Sequence, residues 1–256
     1  MNTILNVAPV EHPVISVLMV LYRGGRDALA AISALIEHTS IPFEVIVVDN
    51  ASPDASGALV RISTTGTTFV ANPTNRGFGQ AMNQAAELAR GDVLCLLNPD
   101  VEVGSDWTSA LLDRLDNDGI GAVSPVLLNP DGSIQEAGAT VDRDGWTHQC
   151  TDASNTAPHR VDYASAACLL VRAKAFRDVG GFDPRYELAY FEDVDLAFAM
   201  SAAGWDTWLE PAVRVQHTGA VTDVAGASRR LSDQNHMRFV DKWRDHLARL
   251  QPTMAR

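Results

Sequence analysis

Residues 92–100 read Asp-Val-Leu-Cys-Leu-Leu-Asn-Pro-Asp, an unbroken apolar run from Val93 to Leu97 closed by Asn98-Pro99-Asp100. A run that short, bounded by turn formers, predicts a strand buried on both faces, the kind found in parallel sheets covered by helices. Ligands of open parallel α/β sheets bind beyond the carboxyl ends of the strands. Asp100 therefore stands where chemistry is expected, although a carboxylate after a strand also makes an ordinary turn.

The pattern on either side fits the same architecture. Upstream, short β-branched runs alternate with longer amphipathic stretches, the signature of strands joined by crossover helices. Strands are predicted at Ile15–Leu21, Phe43–Val48 and Thr67–Ala71, and helices at Arg26–His38, Pro53–Ile62 and Phe78–Ala89. Downstream, a helix is predicted over Ser105–Asp118 with Ser105 as its cap, then a strand at Ile120–Val126. The periodicity fails from Asn129, and 142–161 shows no element; a loop that long is commonly functional. Order returns with a strand at Ala164–Val171, short helices at Ala173–Asp178 and Glu192–Ala203, closing strands at Trp205–Glu210 and Val213–Gln216, and a long helix from Arg229 to Leu250. Residues 1–256 are expected to form one domain with a core over 15–220, an acceptor-side loop near 129–163 and a helical extension near 228–250.

Composition narrows the function. A formal charge of −12 argues against nonspecific nucleic-acid binding, which needs a basic surface. Cys95, Cys150 and Cys168 are odd in number, far apart and without CxxC spacing, which fits a reducing cytoplasm. The apolar run Val14–Tyr22 is far short of the roughly 20 residues of a spanning helix, and no basic segment precedes it as in a signal peptide. The stretch 228–256 is locally basic, with seven Lys or Arg against Asp233, Asp241 and Asp245. A solvated helix face is its plainer explanation; the other is peripheral contact with an anionic inner membrane face or a diphosphate-bearing acceptor.

Several groups fall where chemistry is expected. Asp49-Asn50 follows a strand and suits a base or ribose, or simply a turn. Asn75-Arg76-Gly77 precedes a helix, where glycine admits close backbone approach and the helix start favours an anion. Neither GxGxxG after the first strand nor GxxxxGK[ST] is present, so neither a dinucleotide dehydrogenase nor a P-loop enzyme is expected. Glu192, Asp193 and Asp195 open a helix, where the macrodipole favours carboxylates without any function; they also suit a general base for a hydroxyl. His217 ends the last strand, and imidazole with the Asp100 carboxylate would suit Mg2+ or Mn2+.

In order, VVDNASPD (47–54), NRGFGQAMN (75–83), LLNPDVEV (96–103), VGGFDPRY (179–186), YFEDVDLAF (190–198) and VQHTGA (215–220) resemble the family 2 glycosyltransferases, over about Ile15 to Ala220. The resemblance implies an α/β fold of GT-A type: a Rossmann-like domain for a nucleoside-diphosphate sugar, with a mostly parallel sheet and a C-terminal helix. It is strongest to bacterial rhamnosyltransferase-like enzymes of cell-wall and surface-polysaccharide assembly, in which NPD replaces the DxD metal motif. By that resemblance Tyr22, Asp49 and Asn50 contact the nucleoside and Asn75, Arg76, Gly77 and Asn98 the nucleotide. Asp100 and His217 hold a divalent cation, Mg2+ or Mn2+, and Asp193 is the catalytic base.

Glu192, Gly180 and Gly181 then border the donor sugar and acceptor, and Trp146, with His148 and Arg160, is an acceptor-side candidate. The implied reaction is inverting hexosyl transfer, rhamnosyl first, from a dTDP- or UDP-linked donor to a glycan, lipid-linked or small-molecule acceptor, in the cytoplasm or at the inner membrane face. Leu21 and Ala220-Val221-Thr222-Asp223 depart from the family pattern, at the first-strand tyrosine and after the final histidine. A sugar nucleotidyltransferase, faintly suggested by Arg23-Gly24-Gly25-Arg26, and a noncatalytic sugar-binding module are the competing readings.

Overall fold

The computed structural model describes residues 4–219 and 227–250, so the departure at 220–223 lies outside the described residues. Among the described residues its main sheet contains ten strands, two of them off the central path. The eight on the central path are β1 (Ile15–Leu21), β2 (Phe43–Asp49), β3 (Thr68–Ala71), β4 (Val93–Leu97), β5 (Ile120–Leu128), β6 (His159–Val161), β7 (Cys168–Arg172) and β8 (Asp206–His217). Their order across the sheet is β6-β8-β5-β7-β4-β1-β2-β3. Neighbours β4-β1-β2-β3 and β5-β8 run parallel, whereas β7 and β6 are antiparallel to their partners.

Helices cover both faces: α1 (Gly25–His38), α2 (Ser56–Ser63), α3 (Phe78–Leu88), α4 (Ser109–Leu115), α5 (Ala173–Asp178), α6 (Glu192–Ala202) and α7 (Ala227–Leu247). In α1, Ala28, Ala31, Ile32 and Leu35 recur at helical spacing and are all buried. They pack on one sheet face with Val17, Met19 and Trp107. On the other face Ala81, Met82 and Ala85 of α3 join Phe176, Phe182 and Leu196. A third cluster, with Tyr163, Phe191, Phe198 and Phe239, lies beneath α7. Burying β1 on both faces explains why its sequence carries no alternation.

Four expectations change in detail. Ser105 does not cap α4: the helix starts at Ser109 after Thr108, and Asp106 adopts φ 57, which breaks the helical path. The stretch 142–161 is not featureless. It completes a hairpin, Ala139–Val141 with Thr147–Gln149, and contributes β6 to the sheet; strands of three residues are too short to show a period. The two closing strands are one, β8, whose register shifts across Glu210-Pro211, where proline offers no N–H. The last helix ends at Leu247 and is kinked at Trp243.

The basic helix is also less available than its composition implies. Arg238 bonds Glu187, and Lys242 bonds Asp183 and Asp195. Its exposed side carries Arg229, Arg230 and Arg244 beside Asp233, Asp241 and Asp245, with Arg244 paired to Asp241. Among the described residues no helix is long and apolar enough to cross a membrane.

Candidate active site

The parallel strands deliver their carboxyl ends to one edge of the sheet. Leu21 of β1 is level with Asp49 of β2, and Asp49 with Ala71 of β3. Tyr22 and Asp49, both half-buried, thus emerge side by side. Asp49 Oδ1 accepts from Ser52 N–H at 3.0 Å. Its Oδ2 occupies the place a Cβ on Gly57 would take, 1.9 Å away. That glycine makes room for the carboxylate.

Asn50 is buried and fully engaged. Its Nδ2 donates to Asn75 Oδ1 (2.8 Å) and Gly77 O (3.1 Å), and its Oδ1 accepts from Asn72 Nδ2 and Arg76 N–H, each at 3.0 Å. Its amide therefore builds the 72–77 loop, while the Asn75 and Arg76 side chains lie at the surface. Gly77 has φ 83, and a Cβ there would meet the Leu188 backbone at 2.8 Å. Phe78 N–H donates to Leu188 O at 2.7 Å. The 72–77 loop is thereby fastened to the segment that precedes Asp193.

A second corner forms where β4 ends. The short strand Val101–Glu102 pairs antiparallel with Gln216–His217, bringing Asp100 and His217 together. His217 Nε2 lies 3.3 Å from Asp100 Oδ1 and 3.5 Å from Asn98 Nδ2. On the other side of the ring, Nδ1 is 2.6 Å from Gln135 Oε1. Gln135 Nε2 donates to Asn129 Oδ1 at 3.1 Å, which orients the amide with its oxygen toward the ring. Nδ1 then carries a proton, and Nε2 is the ring nitrogen that faces the carboxylate. Carboxylate oxygen and imidazole nitrogen, 3.3 Å apart, are both ligands for a hard divalent cation, so the pair fits one side of such an ion. Among the described residues no group of three or more His, Cys, Asp or Glu forms a fuller cage; water and diphosphate oxygens suit the rest of a Mg2+ or Mn2+ shell.

Asp193 stands in the first turn of α6. Its Oδ1 accepts from Val194 N–H at 2.9 Å. Burial pushes its carboxyl above the ordinary aspartate value, against the Val194 and Ala166 N–H groups that lower it. Glu192 beside it is buried, its Oε2 has no hydrogen-bond partner among the described residues, and burial followed by the Asp193 charge pushes it up to about 8. Glu192 therefore holds a proton at neutral pH. Glu136 is raised by burial and then by Asp193, and lowered by Ser165 N–H, Gln149 and His217. It follows Gln135 in the chain, and its carboxyl feels the charges of both Asp193 and His217. Tyr163 is held above its usual value by burial and by Asp193.

Strain concentrates at the same edge. Among the described residues, non-glycine positive φ occurs at Arg23, Ala51, Asp106, Leu188, Tyr190 and Phe191, and all but Asp106 adjoin the segments just described. Each costs on the order of 1–3 kcal/mol and persists only where surroundings enforce it.

Trp146 is 43% exposed at the tip of the 139–149 hairpin and stacks on His236 of α7 with ring centroids 3.7 Å apart. Phe191 packs on the same imidazole. Gly181 packs on Asn83 and Phe176, and Gly180 faces open space; none of their described contacts reaches Asp193 or the Asp100–His217 pair. Gln135, Glu136, Tyr163 and Asn235 were not legible as site residues. Only Asn235 left a trace, a polar residue in four-residue register with Phe239, Trp243 and Leu247.

The model of the glycosyl transferase family 2 matches residues 16–180. The chain belongs to that family. It is 30% identical over 233 residues to the N-acetylglucosaminyl-diphospho-decaprenol L-rhamnosyltransferase of Mycobacterium tuberculosis, covering 80% of this chain and 76% of that one. An O-antigen biosynthesis protein of Myxococcus xanthus is 30% identical over 134 residues, 48% of this chain and 10% of that protein. Among solved structures, GalNAc-T7 with UDP, GalNAc and Mn2+ superposes with a TM-score of 0.72 at 17% identity, over 91% of this chain; this chain spans about half of that one, 49%. The mannosyltransferase PcManGT of Pyrobaculum calidifontis, in complex with GDP-Man and Mn2+, gives 0.65 at 19% identity, over 92% of this chain and 67% of that one. The fold is GT-A, and the protein is a rhamnosyltransferase-like glycosyltransferase. Family membership sets aside the nucleotidyltransferase reading.

Proposed function

We propose that this glycosyltransferase moves a hexosyl group, rhamnosyl first, from a nucleoside-diphosphate sugar to a hydroxyl of a lipid-linked glycan, with inversion at the anomeric carbon. The relative in M. tuberculosis, a rhamnosyltransferase acting on a diphospho-decaprenol acceptor, supports this donor and acceptor class. The observation that carries the reading is the raised, part-buried Asp193 carboxylate, which accepts from Ala166 N–H beside the Ala167 carbonyl that Asn98 N–H bonds at 2.8 Å, next to the Asp100–His217 pair.

In a single displacement, Asp193 takes the proton from the acceptor hydroxyl while that oxygen bonds to the anomeric carbon and the bond to the diphosphate oxygen breaks. A carboxyl raised toward the working pH is a better base than an ordinary aspartate. Asp49 and Tyr22 flank the nucleoside, and Asn50 holds the loop that carries Asn75, Arg76 and Gly77 around it. Asp100 and His217, with Asn98 beside them, would hold a divalent cation, whose charge offsets that of the departing diphosphate. Protonated Glu192 is a hydrogen-bond donor for a sugar hydroxyl, and Trp146 offers an aromatic face on the acceptor side.

The test uses dTDP- and UDP-linked sugars with Mg2+ or Mn2+, read as thermal shift to find the donor and as nucleoside diphosphate release on a polyprenyl-diphosphate glycan acceptor. Asp193→Asn should cut turnover by roughly 10²–10⁴-fold while keeping the donor shift. Wild-type turnover in that variant rejects the base. Donor stabilisation without turnover on any acceptor in the wild type points instead to a binding module.

A further inference from the structure

Residues 187–191 are suspended between two anchors. Leu188 O accepts from Phe78 N–H on the nucleotide side at 2.7 Å. On the opposite side the carbonyls of Glu187, Ala189 and Tyr190 converge on one side-chain amide: Asn235 Nδ2 lies 3.3, 2.8 and 3.0 Å from them. Asn235 is fully buried in α7. Its own oxygen accepts from Arg238 Nη1 at 2.9 Å, fixing which end of the amide faces the loop, and Arg238 Nη2 also bonds Glu187. Within this span Leu188, Tyr190 and Phe191 have φ 58, 76 and 70, and Phe191 is the residue from which α6 starts. Side chains there disfavour the conformation, so outside contacts must hold it.

We propose that Asn235 is a positioning residue for glycosyl transfer: it holds 187–191, with Leu188, Tyr190 and Phe191 in left-handed backbone, in the path that presents Asp193 to the acceptor, an inference that rests on Asp193 being the base. Packing alone does not call for asparagine. The apolar stripe of α7 runs through Phe239 and Leu247, and a leucine at 235 would continue it but take the side-chain donor from the Ala189 and Tyr190 carbonyls, while Glu187 O keeps Ala189 N–H. Aspartate, of the same shape, would keep an oxygen for Arg238 but set its other carboxylate oxygen, an acceptor, against those carbonyls. The same helix also braces the hairpin, since His236 Nε2 lies 2.8 Å from Asp144 O and stacks on Trp146. Asp195, two residues past the base, accepts from Tyr186, Lys242 and Trp243. The start of α6 is thus set from α7 at two points on either side of Asp193.

The experiment compares Asn235→Asp with wild type for kcat, donor KM and donor-induced thermal shift, with Asp193→Asn in parallel. Displacement of a catalytic group by about an ångström costs about 10²-fold, so kcat should fall at least about tenfold while donor KM and the donor shift stay at wild-type values. A folded Asn235→Asp with wild-type kcat overturns the inference, as does one whose donor KM and kcat worsen together. Turnover in Asp193→Asn rejects the base reading instead. If Asn235→Asp does not fold, Arg238→Met decides: it leaves Asn235 in place but frees its amide. A kcat loss with faster hydrogen exchange over 187–193 supports positioning, and a folded Arg238→Met with wild-type kcat and exchange overturns it.

Discussion

Gln135 Oε1 accepts the Nδ1 proton of His217 at 2.6 Å, so one neutral side chain decides which imidazole nitrogen faces Asp100. Partners of this kind, behind a metal-binding histidine, fix its tautomer and ring orientation, and their loss weakens metal affinity by roughly 10–100-fold. Gln135→Leu should therefore shift the Mn2+ titration of donor-induced stabilisation to about tenfold or more higher concentration, with the metal-free melting temperature little changed. Coincident titrations in the two proteins would refute the tautomer argument.

Gln135 also marks where sequence reading stops. Asp49 and Asp100 were visible because each follows an apolar run that reads as a strand, and His217 because it follows the alternating Val213–Gln216; strand ends carry ligands in this class of sheet. Gln135 lies on a three-residue strand, Ile134–Glu136, whose only signal is its partner β5. Asn50 was visible but its employment was not: a buried amide with four partners is known only once the 72–77 loop is folded around it. The α7 cations were counted in composition as a basic surface, whereas Lys242 and Arg238 face inward because Asp195, Asp183 and Glu187 are brought to them from far along the chain. Local propensity and motif order survive without tertiary structure. The pairing of polar side chains across long separations does not.

Glu192 makes stability depend on pH in a defined direction. Its folded value is pushed up to about 8 from an ordinary 4.5, first by burial and then by Asp193. Between those values the folded protein holds a proton that the unfolded chain has released, so stability falls as pH rises through the window and levels off above it. Glu192→Gln has no proton to lose. Its melting temperature should lack this part of the decline, and it should gain on wild type steadily from about pH 5 to pH 8. Parallel melting curves against pH would show that Glu192 titrates normally.

Gly57 gives the sharpest test of the nucleoside corner, because the substitution lies behind the proposed contact instead of in it. Its Cβ would fall 1.9 Å from Asp49 Oδ2 and 2.6 Å from Cγ, so Gly57→Ala must drive the carboxylate out of its place. In α2 itself, alanine is the better helix former by about 1 kcal/mol, which offsets part of the packing cost and keeps the fold. If Asp49 binds the nucleoside, losing a charged hydrogen bond costs about 1.5–3 kcal/mol, or roughly 10–100-fold in donor affinity. Asp49→Ala should show a similar loss, and the double variant should be little worse than either, since both remove one interaction. Full donor affinity in Gly57→Ala beside a weakened Asp49→Ala would mean that the carboxylate tolerates displacement. Full affinity in both would take Asp49 out of the site and leave it as the residue that closes the turn after β2.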